Sequence, residues 1–262
     1  DGTLWATRNI AAGADNLFVD NVYDYGQYYG WGEDFGYGEI STQGTNTVDN
    51  YCNHSGNFIT GYRFTSGKKK TLYEWNTYKY SRFAFSIGGF EALPSMGKYT
   101  NNSTNILDPY VSTSNKGDDI AQIKSQGFYS MPTQSQASDL VTNCTGSSTL
   151  TNYSSDNQAK GFRLVSKIAG YTTRSLWLPA AGIYYGAILN GGTDNAHYKH
   201  AGTEAQYWTK ELAYSIAFLP TVPGLNIGSI SGGSAYCLDL PATAVTNDRR
   251  YAGRTIRPVL NK

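Results

Sequence analysis

Apolar and polar positions alternate through Thr3, Leu4, Trp5, Ala6, Thr7, Arg8, Asn9 and Ile10 until Ala11-Ala12-Gly13 breaks the run, so the spacing predicts a first strand. From Tyr23 to Glu39 the period is lost. Tyr23, Tyr25, Tyr28, Tyr29, Trp31, Phe35 and Tyr37 interleave with glycines, which predicts an irregular loop whose backbone passes close beneath rings. Residues 41–70 are polar and turn-rich, and the basic run Lys68-Lys69-Lys70 beside Gly67 reads as a solvated turn. Leu72 to Phe85 reads as an extended aromatic segment. Two short helices follow. Asp118-Asp119 opens one that stops near Gly127, and Thr133, after Pro132, caps one running to about Asn143 with Ala137, Leu140 and Val141 inward. Beyond Cys144 the pattern predicts strands over 161–168, 175–178, 235–240 and 255–259, separated by long polar loops over 183–206 and 241–253. No repeat or linker divides the chain, so residues 1–262 are read as a single domain.

Composition supports the same picture. Charged residues make up only 16% of the 262 positions, and Asn, Thr, Ser, 29 Gly and 22 Tyr carry the polar and aromatic character. Short polar side chains bond to nearby backbone and favour turns and strands over helix interiors, which argues against a helical bundle. The net charge of +1 and the lack of a basic stripe among the aromatics exclude nucleic acid as the expected partner. No apolar stretch reaches the roughly 18–20 residues of a membrane span, and no stretch reads as a signal peptide. Cys52, Cys144 and Cys237 have no metal-ligand spacing; they read as small buried thiols, with a Cys52–Cys144 bridge as the alternative.

Candidate chemistry is sparse. His54, His197 and His200 are the only histidines, and no nucleophile elbow or phosphate-cradling motif occurs. His197 and His200 with Glu204 do not match a helical zinc motif, and Asp118-Asp119 fits a helix N-terminus better than a calcium pair. No metal or cofactor is therefore expected. Trp177 and Trp208, flanked by strand-like residues, read as core. The remaining signal is the Tyr, Asn and Gly richness of 183–210, a composition suited to contact surfaces: tyrosine covers large area at low entropic cost while small polar residues adapt.

Read in order, several segments resemble one family. Leu4-Trp5-Ala6-Thr7-Arg8-Asn9-Ile10 resembles the "LWATxNIGA" opening of the Fibrobacter succinogenes major paralogous domain family, widespread in Bacteroidetes. Tyr25-Gly26-Gln27-Tyr28-Tyr29-Gly30-Trp31-Gly32-Glu33 is similar to its "YGDYFAWGE", and Trp75-Asn76-Thr77-Tyr78-Lys79-Tyr80 to "WSTYKYC", with Ser81 in place of the cysteine. Met131-Pro132-Thr133 is similar to "RMPT", Leu178-Pro179-Ala180-Ala181-Gly182 to "LPAAGYR", and Tyr207-Trp208-Thr209 to "YYWSS". The segment from Arg249 through Tyr251, Arg254 and Arg257 to Val259 is similar to "RYYGRSVRPV". Two departures stand out: Phe128-Tyr129-Ser130 replaces "GGxWR", and 212–233, with Pro220 and Pro223, reads as an insertion.

The resemblance implies an α+β, C-type-lectin-like fold in the branch related to formylglycine-generating proteins, with antiparallel strands, two short helices and long irregular loops. It also implies an exported or cell-surface location. Because the match begins inside the first motif, an upstream segment bearing a leader or lipid anchor is expected. Some members are diversified by retroelements just before the C-terminal motif. The expected function is accordingly non-enzymatic recognition of a protein or glycan by one exposed face. Tyr184, Tyr185, Tyr198 and Tyr251 are expected to supply apolar contacts, and Asn195, His197, Gln206, Lys210, Asp239, Asn247, Asp248 and Arg249 polar ones. Arg254 and Arg257 are expected to make structural ion pairs or backbone contacts. The alternatives are a structural or adhesin-tip module and an enzyme related to formylglycine-generating oxidases.

Overall fold

The computed structural model describes residues 2–12, 16–32, 62–65, 68–71, 106–155, 157–184, 198–218, 228–249 and 253–261, with backbone alone for 62–65, 68–71, 184, 198–199, 214–218, 228–234 and 249. Among these residues the architecture is α+β, with antiparallel sheets and two short helices.

Both helices start where their side chains can meet orphan N–H groups. In α1 (Ile120–Ser125) the Asp119 carboxylate accepts from Ala121 N and Gln122 N, and the helix closes at Gln126 in the left-handed region. In α2 (Gln134–Thr142) Thr133 and Gln136 form a capping box. Asp119 also accepts from Met131 N at 2.9 Å, tying the two helical segments together. Burial pushes the Asp119 carboxyl up to about 6, against the lowering effect of those N–H donors and of Lys210.

Strand β1 (Tyr62–Thr65) pairs with β2 (Lys68–Thr71), so the three lysines lie on a hairpin strand and not only in a turn; the β-prone Tyr-Arg-Phe-Thr partner draws them into register. Further along come β3 (Tyr129–Ser130), β4 (Cys144–Thr145), β5 (Leu150–Asn152), β6 (Lys160–Ser166) and β7 (Ser175–Pro179). Strand β6 is central. Its one edge pairs with β7, and its other edge pairs with β4 and β5 end to end. The remaining strands are β8 (Ile183–Tyr184), β9 (Tyr198–Lys199), β10 (Ala205–Phe218), β11 (Gly228–Leu240), β12 (Ala244–Arg249) and β13 (Val259–Leu260). Strands β10, β11 and β12 form one antiparallel sheet.

Alternation along these strands builds the core. Phe162, Leu164, Leu178 and Ala180 meet Ala205, Tyr207, Leu238 and Leu240 of the three-stranded sheet, with Ala137 and Leu140 of α2 filling between them. Each large apolar side chain buried there contributes about 2 kcal/mol.

Several expectations change. Residues 3–10 do not form a continuous strand; they follow the C-terminal segment through single contacts such as Ala6 N to Pro258 O and Leu260 N to Leu4 O, both 2.9 Å. Pro258 has no N–H to extend a ladder, and Asn9 turns its side chain inward. Arg257 Nε donates to Asn9 Oδ1 at 2.6 Å and Nη1 donates to Ala6 O at 3.2 Å, so the two ends of the described chain are joined through buried polar contacts. The same interruption limits the predicted 255–259 strand to the short β13. Residues 212–218 and 228–233 extend one hairpin where an insertion was expected, while both prolines of that region lie outside the described residues. The 241–253 region contains β12 where a loop was expected: Val245 packs on the core and holds the segment extended against β11. Likewise 183–206 contains β8, β9 and the start of β10.

Residues 23–32 of the aromatic-glycine segment are irregular and packed, as expected, while 33–39, with Phe35 and Tyr37, lie outside the described residues. Tyr28 Oη donates to Ala181 O at 2.6 Å, and Trp31 Nε1 to Thr209 O at 2.9 Å. Gly26 takes φ +80° with Ile10 O only 2.6 Å from where a Cβ would stand, so a side chain is excluded there. Residues 72–85 lie outside the described residues. Cys144 and Cys237 are free thiols, and burial pushes both up from the ordinary thiol range; Cys52 lies outside the described residues.

Candidate ligand-binding face

Strand alternation divides the β10–β11–β12 sheet into two faces. Ala205, Tyr207, Leu238 and Leu240 face the core, so their neighbours Gln206, Trp208, Cys237 and Asp239 take the opposite face. On β12, Val245 is core-side, which places Thr246 and Asp248 on the same outer face; the contact between Cys237 Sγ and Thr246 Oγ1 at 3.3 Å agrees with that assignment. Arg254 lies across this face with its guanidinium carbon 4.3 Å from the Trp208 ring centroid. The Trp208 indole donates to Tyr29 O at 2.9 Å, closing one end of the face.

At the open end the polar groups form a relay. Arg254 is 1% exposed, and its Nη2 donates to Asp248 Oδ2 at 2.6 Å and to Gln206 Oε1 at 2.9 Å. Gln206 Nε2 donates in turn to Glu204 Oε2 at 2.9 Å, and Glu204 Oε1 pairs with His200 Nδ1 at 3.0 Å. Exposure rises outward, from the buried guanidinium to Glu204 and Asp248 at 28% and His200 at 50%. Asp239, the register partner of Gln206, sits among them. Burial raises its pKa first and the nearby Glu204 charge second, while Arg254 and His200 oppose the rise. Three carboxylates thus surround one fixed cation, a face suited to hydrogen bonding and to cationic groups.

The expected contact residues distribute unevenly. Asp239 and Asp248 come together here. Gln206 is buried at 6%, with both ends of its amide engaged, so it positions Arg254 and is not an exposed contact. Lys210 departs from the face: its N–H bonds Pro132 O and its carbonyl accepts from Leu107 N, near α1. Asn247 is exposed but belongs to the Val245 row, opposite Asp248. Arg249 is paired with Ser234 by backbone, and Tyr184 is the register partner of Tyr198. Tyr185, Asn195, His197 and Tyr251 lie outside the described residues. Glu204 and His200, weighed in the sequence only as metal ligands, turn out to be the exposed end of the relay; their spacing of four residues was the available signal. Arg254 makes an ion pair and Arg257 a backbone contact, as expected.

Among the described residues no group of three or more His, Cys, Asp or Glu side chains is arranged to hold a metal ion, and no helix is long and apolar enough to cross a membrane. Trp208 and Trp177 are both buried. The chain has no match among family models, curated proteins or solved structures.

Proposed function

We propose that this chain is a ligand-binding domain of a secreted or cell-surface protein, and that the open end of the β10–β11–β12 face receives a protein or glycan ligand. The observation that carries the reading is the relay from buried Arg254 through Gln206 to Glu204. Desolvating a guanidinium is expensive, and apolar residues of similar volume often fill such a space with equal or greater stability. A rigid floor that holds carboxylates at fixed positions on strands suits recognition, because little ordering remains to be done on binding. The register pairing of Tyr184 with Tyr198 adds two tyrosine positions side by side on a short ladder.

The C-type-lectin-like fold and membership of the Fibrobacter succinogenes major paralogous domain family belong to the same proposal. Support comes from where the resembling segments fall. The first one meets the last through the Trp5–Val259 bridge and the Asn9–Arg257 hydrogen bond, and Met131-Pro132-Thr133 opens the capped helix α2.

The test is an array of glycans and surface proteins probed with the purified chain, with and without chelator. A chelator-insensitive signal that the double substitution Glu204→Gln with Asp239→Asn removes is the expected result. Signal retained in full by that variant would sink the assignment of this face.

A further inference from the structure

A second face of the molecule poses a different chemical problem. Along β6 the side chains of Phe162 and Leu164 enter the core, so Gly161 and Arg163 point outward, and Trp177 is the register partner of Arg163. Trp177 nevertheless is only 6% exposed. Its indole lies over Gly161, where a Cβ would stand 2.5 Å from Trp177 Cζ2. Tyr153 closes on it edge-on with ring centroids 5.3 Å apart, and Tyr23 packs against Tyr153 at 5.2 Å. The Arg163 guanidinium carbon stands 5.5 Å from the Trp177 ring and 5.9 Å from the Tyr153 ring, and Nη2 donates to Tyr153 O at 2.9 Å.

Inside this aromatic cluster the Trp177 Nε1 donor is buried and has no hydrogen-bond partner among the described residues. An unmet buried donor costs about 1–3 kcal/mol, so each one in a native protein calls for an explanation. Gly161 makes room for the indole and the tyrosines enclose it, so the donor is built in. Charge adds an independent indication. Between Cys144 and Ala180 the chain carries Lys160, Arg163, Lys167 and Arg174 against the single acid Asp156, and all four cations are exposed. The β10–β11–β12 face has the opposite balance.

We infer that the outward face formed by Trp177, Tyr153, Tyr23 and Arg163 is a second binding site, for an acidic saccharide. A sugar ring offers C–H faces to the tyrosine rings, and binding that parts them would let a hydroxyl or ring oxygen accept from Trp177 Nε1, which the closed cluster keeps from solvent. Its carboxylate or sulfate would pair with the outward N–H groups of Arg163, whose planar fork suits both acids. This site does not depend on the β10–β11–β12 face, and the two would select ligands of opposite charge.

The indole N–H resonances of the five tryptophans in ¹⁵N-labelled protein report directly, with Trp177 assigned by its loss in Trp177→Phe. Probes are a tetragalacturonate, a sulfated heparin tetrasaccharide and neutral cellotetraose. The expected result is movement of the Trp177 resonance with at least one acidic probe and not with cellotetraose. Affinity should fall about tenfold in Trp177→Phe and in Arg163→Gln, the latter lowering Tm by no more than about 4 °C because the contacts it gives up, the hydrogen bond to Tyr153 O and the ring stacking, are exposed. A response to galacturonate alone or to heparin alone supports the site and identifies the acid. An unmoved resonance with both acidic probes, an equal response to cellotetraose, or unchanged affinity in Arg163→Gln would each overturn it.

Discussion

Replacing Asp248 with Ala removes the carboxylate 2.6 Å from Arg254 Nη2 while the guanidinium stays buried. Breaking a fully buried ion pair from one side costs about 3–5 kcal/mol, because the remaining charge is left without compensation. Two features reduce that figure. Asp248 keeps 28% of its side-chain exposure, so water screens part of the attraction, and Gln206 Oε1 still accepts from Arg254 Nε and Nη2. The expected loss is therefore about 2–3 kcal/mol, or roughly 4–10 °C in Tm for a chain of this size. Asp248→Asn keeps an acceptor without the charge and should lose about half as much. Urea unfolding followed by tryptophan fluorescence at neutral pH, with calorimetry on the same proteins, measures both. A Tm for Asp248→Ala within about 1 °C of the parent, below a 0.5 kcal/mol effect, would refute the account of Arg254 as a charge held by that pair.

Three further outcomes follow from the packing. Asp119→Ala removes the α1 cap and an acceptor for buried Met131 N–H, and should destabilise the chain by about 3 kcal/mol in urea. Asp119 also sets a pH dependence: its folded pKa of about 6 lies above the ordinary 3.8, so the folded state holds the proton more tightly. Its contribution is then most favourable below about pH 4, declines as pH rises to about 6 and is flat above. Asp119→Asn should lack that decline, and parallel pH profiles for the two chains would contradict it. Gly161→Ala forces a methyl group into the Trp177 indole and Leu178 O, and should cost about 1–3 kcal/mol with a changed near-ultraviolet spectrum; an unchanged spectrum and Tm would mean the indole does not lie there. Thr133→Ala dissolves the capping box of α2 and should cost about 1 kcal/mol, measured by the urea midpoint.

What the sequence disclosed depended on whether the signal was local. Thr133 after Pro132, with Gln136 three residues on, carries its helix start in adjacent residues, and α2 forms there. Asp119 before an apolar pair is similarly self-contained. Strand β12 was hidden because Thr246, Asn247 and Asp248 have turn-like composition; only pairing with β11 and the burial of Val245 make them extended. The N-terminal alternation predicted a strand, but it could not reveal that Asn9 would be spent on Arg257, 248 residues away. At the candidate face, composition marked Gln206, Asp239 and Asp248 alike as polar. Depth separates them: Gln206 is enclosed between Arg254 and Glu204, while both aspartates retain exposure. Glu204 takes its place through local contacts, with His200 four residues before it and Gln206 two after, and only the hydrogen bond from Arg254 to Gln206 links them to the distant C-terminal segment.

The most direct measurement of the central proposal is binding to the strongest array ligand by the parent chain and by the Glu204→Gln, Asp239→Asn double variant, with the Tm of each recorded. Both substitutions are isosteric, and the amide oxygen that Glu204→Gln leaves in place can still accept from Gln206, so Tm should change by no more than about 2 °C. Affinity should fall at least about tenfold, the loss expected when charge-assisted hydrogen bonds become neutral ones. Equal affinity at equal Tm would contradict the proposal and move the search for the ligand to another surface.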